Sequence, residues 1–300
     1  MDTAKYCKKC NETLRVQTRN LEKELSDLSW KLRRTIASAK LSDYKWLNRI
    51  LENEVPDDES KVERYKYLIE RVEYAAKNST TPTGIQELDD LLYGGIPSGY
   101  SILLTSPPLD EKELILESFL RQGVTQDETV LLLSTMLKSG SSSQVENKQD
   151  TFYLMLCSPW ADNIIQDKPN VLKFHGIEDL TQLNISLKVF IREILENCDT
   201  IDRIVLDLVS DALLMHETRI VRRWLMDLLT MIKQLNITTL STLDPGMHSS
   251  DEVRIIVDLF DGNLDITEKQ VEETTKTMLR VKRLYNKKYQ NVDLELQTRK

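Results

Sequence analysis

One pattern constrains the fold more than any other. From about residue 81 onward, short apolar runs at 101–105, 129–134, 171–174, 203–207 and 237–242 alternate with helical stretches at 111–122, 183–197 and 217–234. Runs this short, centred on Leu, Ile and Val and bounded by polar residues, suit strands buried on both faces. Strands alternating with amphipathic helices predict an α/β domain with a mostly parallel central sheet flanked by helices. The end of the chain departs from this pattern. Residues 262–267, 277–285 and 292–297 read as antiparallel strands joined by turns, a C-terminal extension of the sheet.

The first eighty residues differ in kind. Residues 11–54 contain no Gly or Pro and carry Leu14, Leu21, Leu25, Leu28 and Leu32 at heptad spacings, with Thr18 as one polar position. This stripe either packs on its own domain or joins two chains as a short coiled coil. After the break at Pro56, a second helix over 59–77 puts Val62, Tyr65, Leu68, Ile69 and Val72 on one face. Asn78-Ser79-Thr80-Thr81-Pro82-Thr83-Gly84 reads as a linker. The expected division is therefore a helical N-terminal extension over 1–80 and an α/β domain over 81–300. The glycine and serines at 140–143, with the polar run to Asp150, predict a mobile loop.

Three hundred residues with a formal net charge of −8 leave ample material for a core and argue against nonspecific binding to nucleic acid or anionic lipid. No apolar run approaches the roughly eighteen residues of a membrane span, so no membrane contact is expected. The polar start at 1–11 lacks the apolar segment of a secretory signal, and four cysteines do not make a disulfide framework. The expected home is the reducing cytoplasm. Cys7 and Cys10 form half a zinc site. Free thiols are the plain reading; the sharper one has two chains, joined through the leucine stripe, completing a four-cysteine site. His175, His216 and His248 are scattered and read as structural or surface residues, and Trp224 reads as core.

Several segments carry a more specific signal. Thr81-Pro82-Thr83-Gly84-Ile85 leads into Leu88-Asp89, Leu92, Gly94-Gly95-Ile96-Pro97 and Gly99, just before the first apolar strand. Later come Ile204-Val205-Leu206-Asp207-Leu208-Val209-Ser210-Asp211, then Thr242-Leu243-Asp244-Pro245-Gly246-Met247, Val257-Asp258-Leu259-Phe260-Asp261-Gly262 and Leu279-Arg280-Val281. In this order and spacing the set, over about residues 81–297, resembles the KaiC-like branch of the RecA superfamily of ATPases.

The resemblance implies a Walker A loop over 106–113, and there the residues depart from the family. The pattern G-x-x-x-x-G-K-[ST] works because glycines let backbone N–H groups wrap phosphates, lysine neutralises charge, and the hydroxyl binds Mg²⁺. Ser106 and Glu111 stand at the glycine positions, Lys112 keeps the lysine, and Glu113 replaces the hydroxyl residue. At about 6 Å and an effective dielectric near 20, each carboxylate–phosphate pair costs roughly 3 kcal/mol. A micromolar nucleotide binds with roughly 8 kcal/mol. The strand after the first helix ends Ser134-Thr135-Met136-Leu137-Lys138, where the family carries its acidic general base. Asp207 keeps the Walker B position. The Lys-x-Arg pair that the family inserts from a neighbouring subunit corresponds here to Arg283 and Tyr285, one cation kept and one lost.

Phosphoryl transfer relies on positioning and charge stabilisation, so several missing parts are not rescued by Lys112 and Asp207. The resulting expectation is a catalytically inactive KaiC-like domain, not an enzyme and without a cofactor, acting as a regulatory or scaffolding partner. Ser106, Lys112, Glu113 and Asp207 would be a vestigial nucleotide site. Expected partners are proteins, active RecA- or KaiC-family members among them, with homo-oligomers formed through surfaces that include Arg283 and Tyr285. Two alternatives stand beside it: a sensor that binds Mg-ATP without cleaving it, and a DNA recombination accessory protein using the basic cluster Arg280, Lys282, Arg283, Lys287 and Lys288.

Overall fold

The computed structural model describes residues 80–138, 150–198, 200–271 and 274–296, together with Asp27. The leucine stripe, the second N-terminal helix, the Cys7/Cys10 pair and the 140–149 stretch of the expected loop lie outside the described residues. The chain divides into two units between Ser79 and Thr80, and the fold below is that of the second.

Its first elements are β1 (Thr80–Thr81), α1 (Gln86–Leu91), β2 (Ile96–Pro97), β3 (Ser101–Thr105), α2 (Asp110–Thr125) and β4 (Val130–Ser134). There follow β5 (Phe152–Cys157), α3 (Ala161–Ile164), β6 (Val171–Phe174), α4 (Leu180–Asn197), β7 (Arg203–Asp207), α5 (Val209–Met215) and α6 (Thr218–Gln234). The last are β8 (Thr238–Leu243), α7 (Ser250–Val257), β9 (Gly262–Val271), β10 (Thr274–Leu284) and β11 (Leu294–Leu296). Among the described residues, nine strands form one sheet in the order β11-β10-β9-β3-β8-β7-β4-β5-β6. It is parallel from β9 to β6, and only β10 and β11 run antiparallel to their neighbours. The α/β architecture with its antiparallel C-terminal edge is as the alternation predicts.

Every residue of β3, β4 and β5 is buried, because helices cover both faces. Successive side chains alternate between two cores. Ile102, Leu104, Leu132 and Leu154 pack with Ile115, Phe119 and Leu120 of α2. Leu103, Leu131, Leu133 and Met155 pack on the opposite side with α4, α5 and α6. Helix α6 buries Val221, Trp224, Leu225, Leu228, Leu229 and Ile232, a stripe of threes and fours, so Trp224 is core as expected.

One strand of the nine-stranded sheet was not foreseen. Phe152–Cys157 is an uninterrupted apolar run, and such a run has no period that separates strand from helix. The lead-in before β3 is fixed by glycine: Gly95 has φ 118°, and a Cβ there would collide with the Thr81 carbonyl. Thr81 Oγ1 in turn lies 2.9 Å from Thr238 Oγ1 at the start of β8.

Candidate functional site

In parallel sheets of this kind, ligands sit beyond the carboxyl ends of the strands. The strand order puts the ends of β3, β8, β7 and β4 side by side. Thr105 is in register with Leu243, Leu206 with Ser241, and Ser134 with Asp207. Residues far apart in sequence thus converge: the loop 106–109 after β3, Thr242 of β8, Asp207 of β7, and 135–138 after β4.

The loop after β3 turns inward on its own backbone. Pro107 and Pro108 have no N–H to offer. The Ser106 N–H donates to Leu243 O at 3.0 Å, that of Leu109 to Pro107 O at 2.8 Å, and that of Lys112 to Leu109 O at 3.1 Å. Ser106 is wholly buried, and its hydroxyl donates to Pro107 O at 2.7 Å. None of residues 106–113 has a positive φ. An anion nest alternates right- and left-handed residues, and this stretch lacks the left-handed half. Helix α2 begins at Asp110 with Asp110, Glu111 and Glu113 in its first turn, where carboxylates favour the helix dipole. Glu111 is buried, and its Oε1 accepts from Thr277 Oγ1 of β10 at 3.2 Å.

The charged residues form a compact cluster. Lys138 Nζ pairs with Glu113 Oε1 and lies 3.5 Å from Asp207 Oδ2. Lys112 Nζ lies 3.4 Å from the same Glu113 oxygen. Thr242 Oγ1 donates to Asp207 Oδ1 at 2.5 Å, so both Asp207 oxygens have partners. Burial alone pulls the Lys138 ammonium toward deprotonation. Its hydrogen bond to Glu113 and the charge of Asp207 outweigh that and hold it above the ordinary lysine value. The cavity bounded by Glu113, Ser134, Met136, Lys138 and Asp207 measures about 20 Å³. That is room for about one water molecule, whereas ligand pockets run to about 300 Å³ or more. A groove of about 780 Å³ opens on a different face of α2, along Leu114, Ser118 and Arg121, away from this cluster.

Of the expected vestigial residues, the fold brings Lys112, Glu113 and Asp207 together, with Ser106 beneath them in the backbone turn. Arg283 and Tyr285 lie elsewhere, at the β10 end. A bulge between Val281 and Arg283 re-aims the strand. The Arg283 guanidinium donates to Val257 O and Phe260 O, both at 2.8 Å, capping the end of α7. Tyr285 is exposed, and its carbonyl accepts from Tyr100 Oη at 3.1 Å. The sequence reading gave Lys138 no role. The signal was there in two departures that compensate: a carboxylate where a hydroxyl is expected, and a lysine at a strand end expected to be acidic.

Comparison with known proteins agrees with this fold. The family model for the KaiC ATPases matches residues 81–297. The chain belongs to the KaiC-like ATPase family. It is 25% identical to the circadian clock oscillator protein KaiC of Prochlorococcus marinus over 65% of this chain and 39% of that protein. It therefore spans about two fifths of that relative's length. In fold it is similar to a KaiC-like protein from the hyperthermophilic archaeon Pyrococcus horikoshii, with a TM-score of 0.57 at 17% identity, covering 72% of this chain and 94% of the other.

Proposed function

We propose that this chain is a non-hydrolysing member of the KaiC-like family that acts by binding other proteins, as a regulatory or scaffolding partner. Membership in the family implies a nucleotide and Mg²⁺ at the loop after β3, and the residues present do not fit them. The observation that carries the reading is that the N–H groups of the loop 106–109 are absent or already bonded within the fold. Two of its residues lack an N–H, and the amides of Ser106, Leu109 and Lys112 donate to carbonyls of this chain. Glu113 stands where a small hydroxyl would meet the metal, and the adjoining cavity is about 20 Å³. Phosphate wrapping needs inward-pointing N–H groups and open space.

Protein binding is supported by what is exposed at the same sheet edge. Met136 and Trp160, which follow the adjacent strands β4 and β5, are 67% and 68% exposed. Met and aromatic side chains are enriched at protein interfaces. Partners of the same superfamily, active members among them, are the class this reading favours, with the residues before Thr80 as a second means of association. The basic cluster lends the DNA reading little. Lys282 pairs with Asp265 at 3.1 Å and Arg280 with Asp293 at 2.7 Å, while Arg283 is held at the end of α7.

The test is thermal unfolding of the purified full chain with and without millimolar Mg-ATP, alongside a phosphate-release assay. The expected result is an unchanged Tm and no release above the blank. A ligand held by the native state stabilises by mass action, so a saturable rise in Tm would overturn the proposal. A rise without phosphate release would favour the ATP-sensor alternative.

A further inference from the structure

The structure assigns Lys138 a further role: its ammonium is a built-in counter-cation that fills the place between Glu113 and Asp207 where a divalent ion would otherwise sit, making the cluster independent of metal. The inference rests on the reading above that no nucleotide-bound metal uses this loop. The two carboxylates come from regular elements, the first turn of α2 and the end of β7. Lys138 reaches them from the loop after β4, pairing with Glu113 Oε1 and standing 3.5 Å from Asp207 Oδ2. Lys112 adds a second ammonium 3.4 Å from Glu113, so two cations face these two anions, with Glu117 a further carboxylate on the cavity wall. The second Asp207 oxygen already accepts from Thr242. A hard divalent ion seeks several oxygen ligands at about 2.0–2.6 Å. Here it would meet an ammonium in the same place, in a cavity of about 20 Å³.

The arrangement makes a prediction that ordinary loss of a metal site does not. Taking away the ammonium should leave two fixed carboxylates near Thr242, a set of oxygen ligands that recruits a cation from solution. Removing one partner of a partly buried ionic cluster destabilises it because the remaining charges are left uncompensated. Lys138→Met keeps the length of the side chain and drops the charge. At neutral pH in EDTA, its Tm should fall by about 4 °C or more. About 5 mM Mn²⁺, added alone, should recover at least half of that loss by binding the native state. The wild-type Tm should not respond to Mn²⁺. Combining Lys138→Met with Glu113→Gln removes the uncompensated charge, so the double variant should regain stability in EDTA and lose its response to Mn²⁺.

A Lys138→Met protein as stable as wild type and indifferent to Mn²⁺ overturns the inference, as does a wild type stabilised by Mn²⁺ without nucleotide. If Lys138→Met does not fold, Glu113→Gln carries the test. Lys138 then keeps only Asp207, a drop in Tm of about 2 °C or more is expected, and an unchanged Tm overturns the inference. Mg-ATP binding by the wild type would instead count against the proposed function, so the two failures are separate results.

Discussion

Strand β7 carries a charged residue at each end, and the two are held in opposite ways. At its start, the Arg203 side chain is fully buried and every face is taken. It pairs with Glu128, donates to Pro82 O at 2.5 Å and Phe119 O at 3.0 Å, reaches Gln126 Oε1 at 3.2 Å, and lies 4.7 Å over the Phe119 ring. Even Gly123 fits the arrangement, since a Cβ there would come 2.9 Å from Arg203 Cδ. At its end, Asp207 belongs to a cluster whose lysine is one-third exposed. The lesson is one of position in the sheet. The charge at the amino end of β7 lies inside the fold and serves it, while the one at its carboxyl end faces the opening beyond the strand ends.

If that contrast is right, Arg203→Met should have the largest effect. It strands Glu128 in a dry site, so the loss should be about 3–5 kcal/mol by urea unfolding and little changed by salt. Adding Glu128→Gln should return much of it. Asp207→Asn should lose only about 1 kcal/mol, because Lys138 remains near water, where screening weakens the pair, and the Asn side-chain oxygen can still accept from Thr242. High salt should shrink that loss further. Equal effects at the two ends would break the comparison.

A partly exposed surface group supplies the low end of the scale. The hydrogen bond from Lys269, helped by the charge of Arg280, holds the Asp293 carboxyl below its ordinary value of 3.8. A carboxylate with a depressed folded pKa contributes stability that is present above the unfolded value and lost as pH falls through the folded one. The protection of β11 amides relative to their intrinsic exchange should therefore be unchanged between pH 7 and about 5 and fall only below the ordinary carboxylate range. Asp293→Asn should remove that acid step while leaving the urea midpoint at neutral pH nearly unmoved.

Much of the fold was legible because its signals are local. Apolar runs and turn residues mark β3, β4, β7 and β8, and the stripe in α6 marks its buried face. Asp179 caps α4 through the N–H groups of Thr181 and Gln182, and the helix starts just after it, three residues before the expected start. The site was legible as a set of positions, since Lys112 and Glu113 lie in the first turn of the helix after β3 and Asp207 ends β7, which the strand order brings close. Their partners were not. Which lysine faces Glu113, and that Arg283 turns back to cap α7 instead of reaching outward, depend on how a loop exits β4 and on one bulge in β10. The burial of Arg203 was equally hidden, because a strand-initial arginine normally reads as exposed.

The pairing of Glu113 with Lys138 also bears on how such a chain could change over generations. A single substitution returning a small hydroxyl at 113 would leave the Lys138 ammonium where the metal belongs. A single substitution at 138 would leave two carboxylates facing each other. Either first step is penalised until the second arrives, and the prolines at 107 and 108 would still block the loop. On the function proposed above, the ion pair works as a ratchet: neither position 113 nor position 138 can change alone without leaving a charge unmatched.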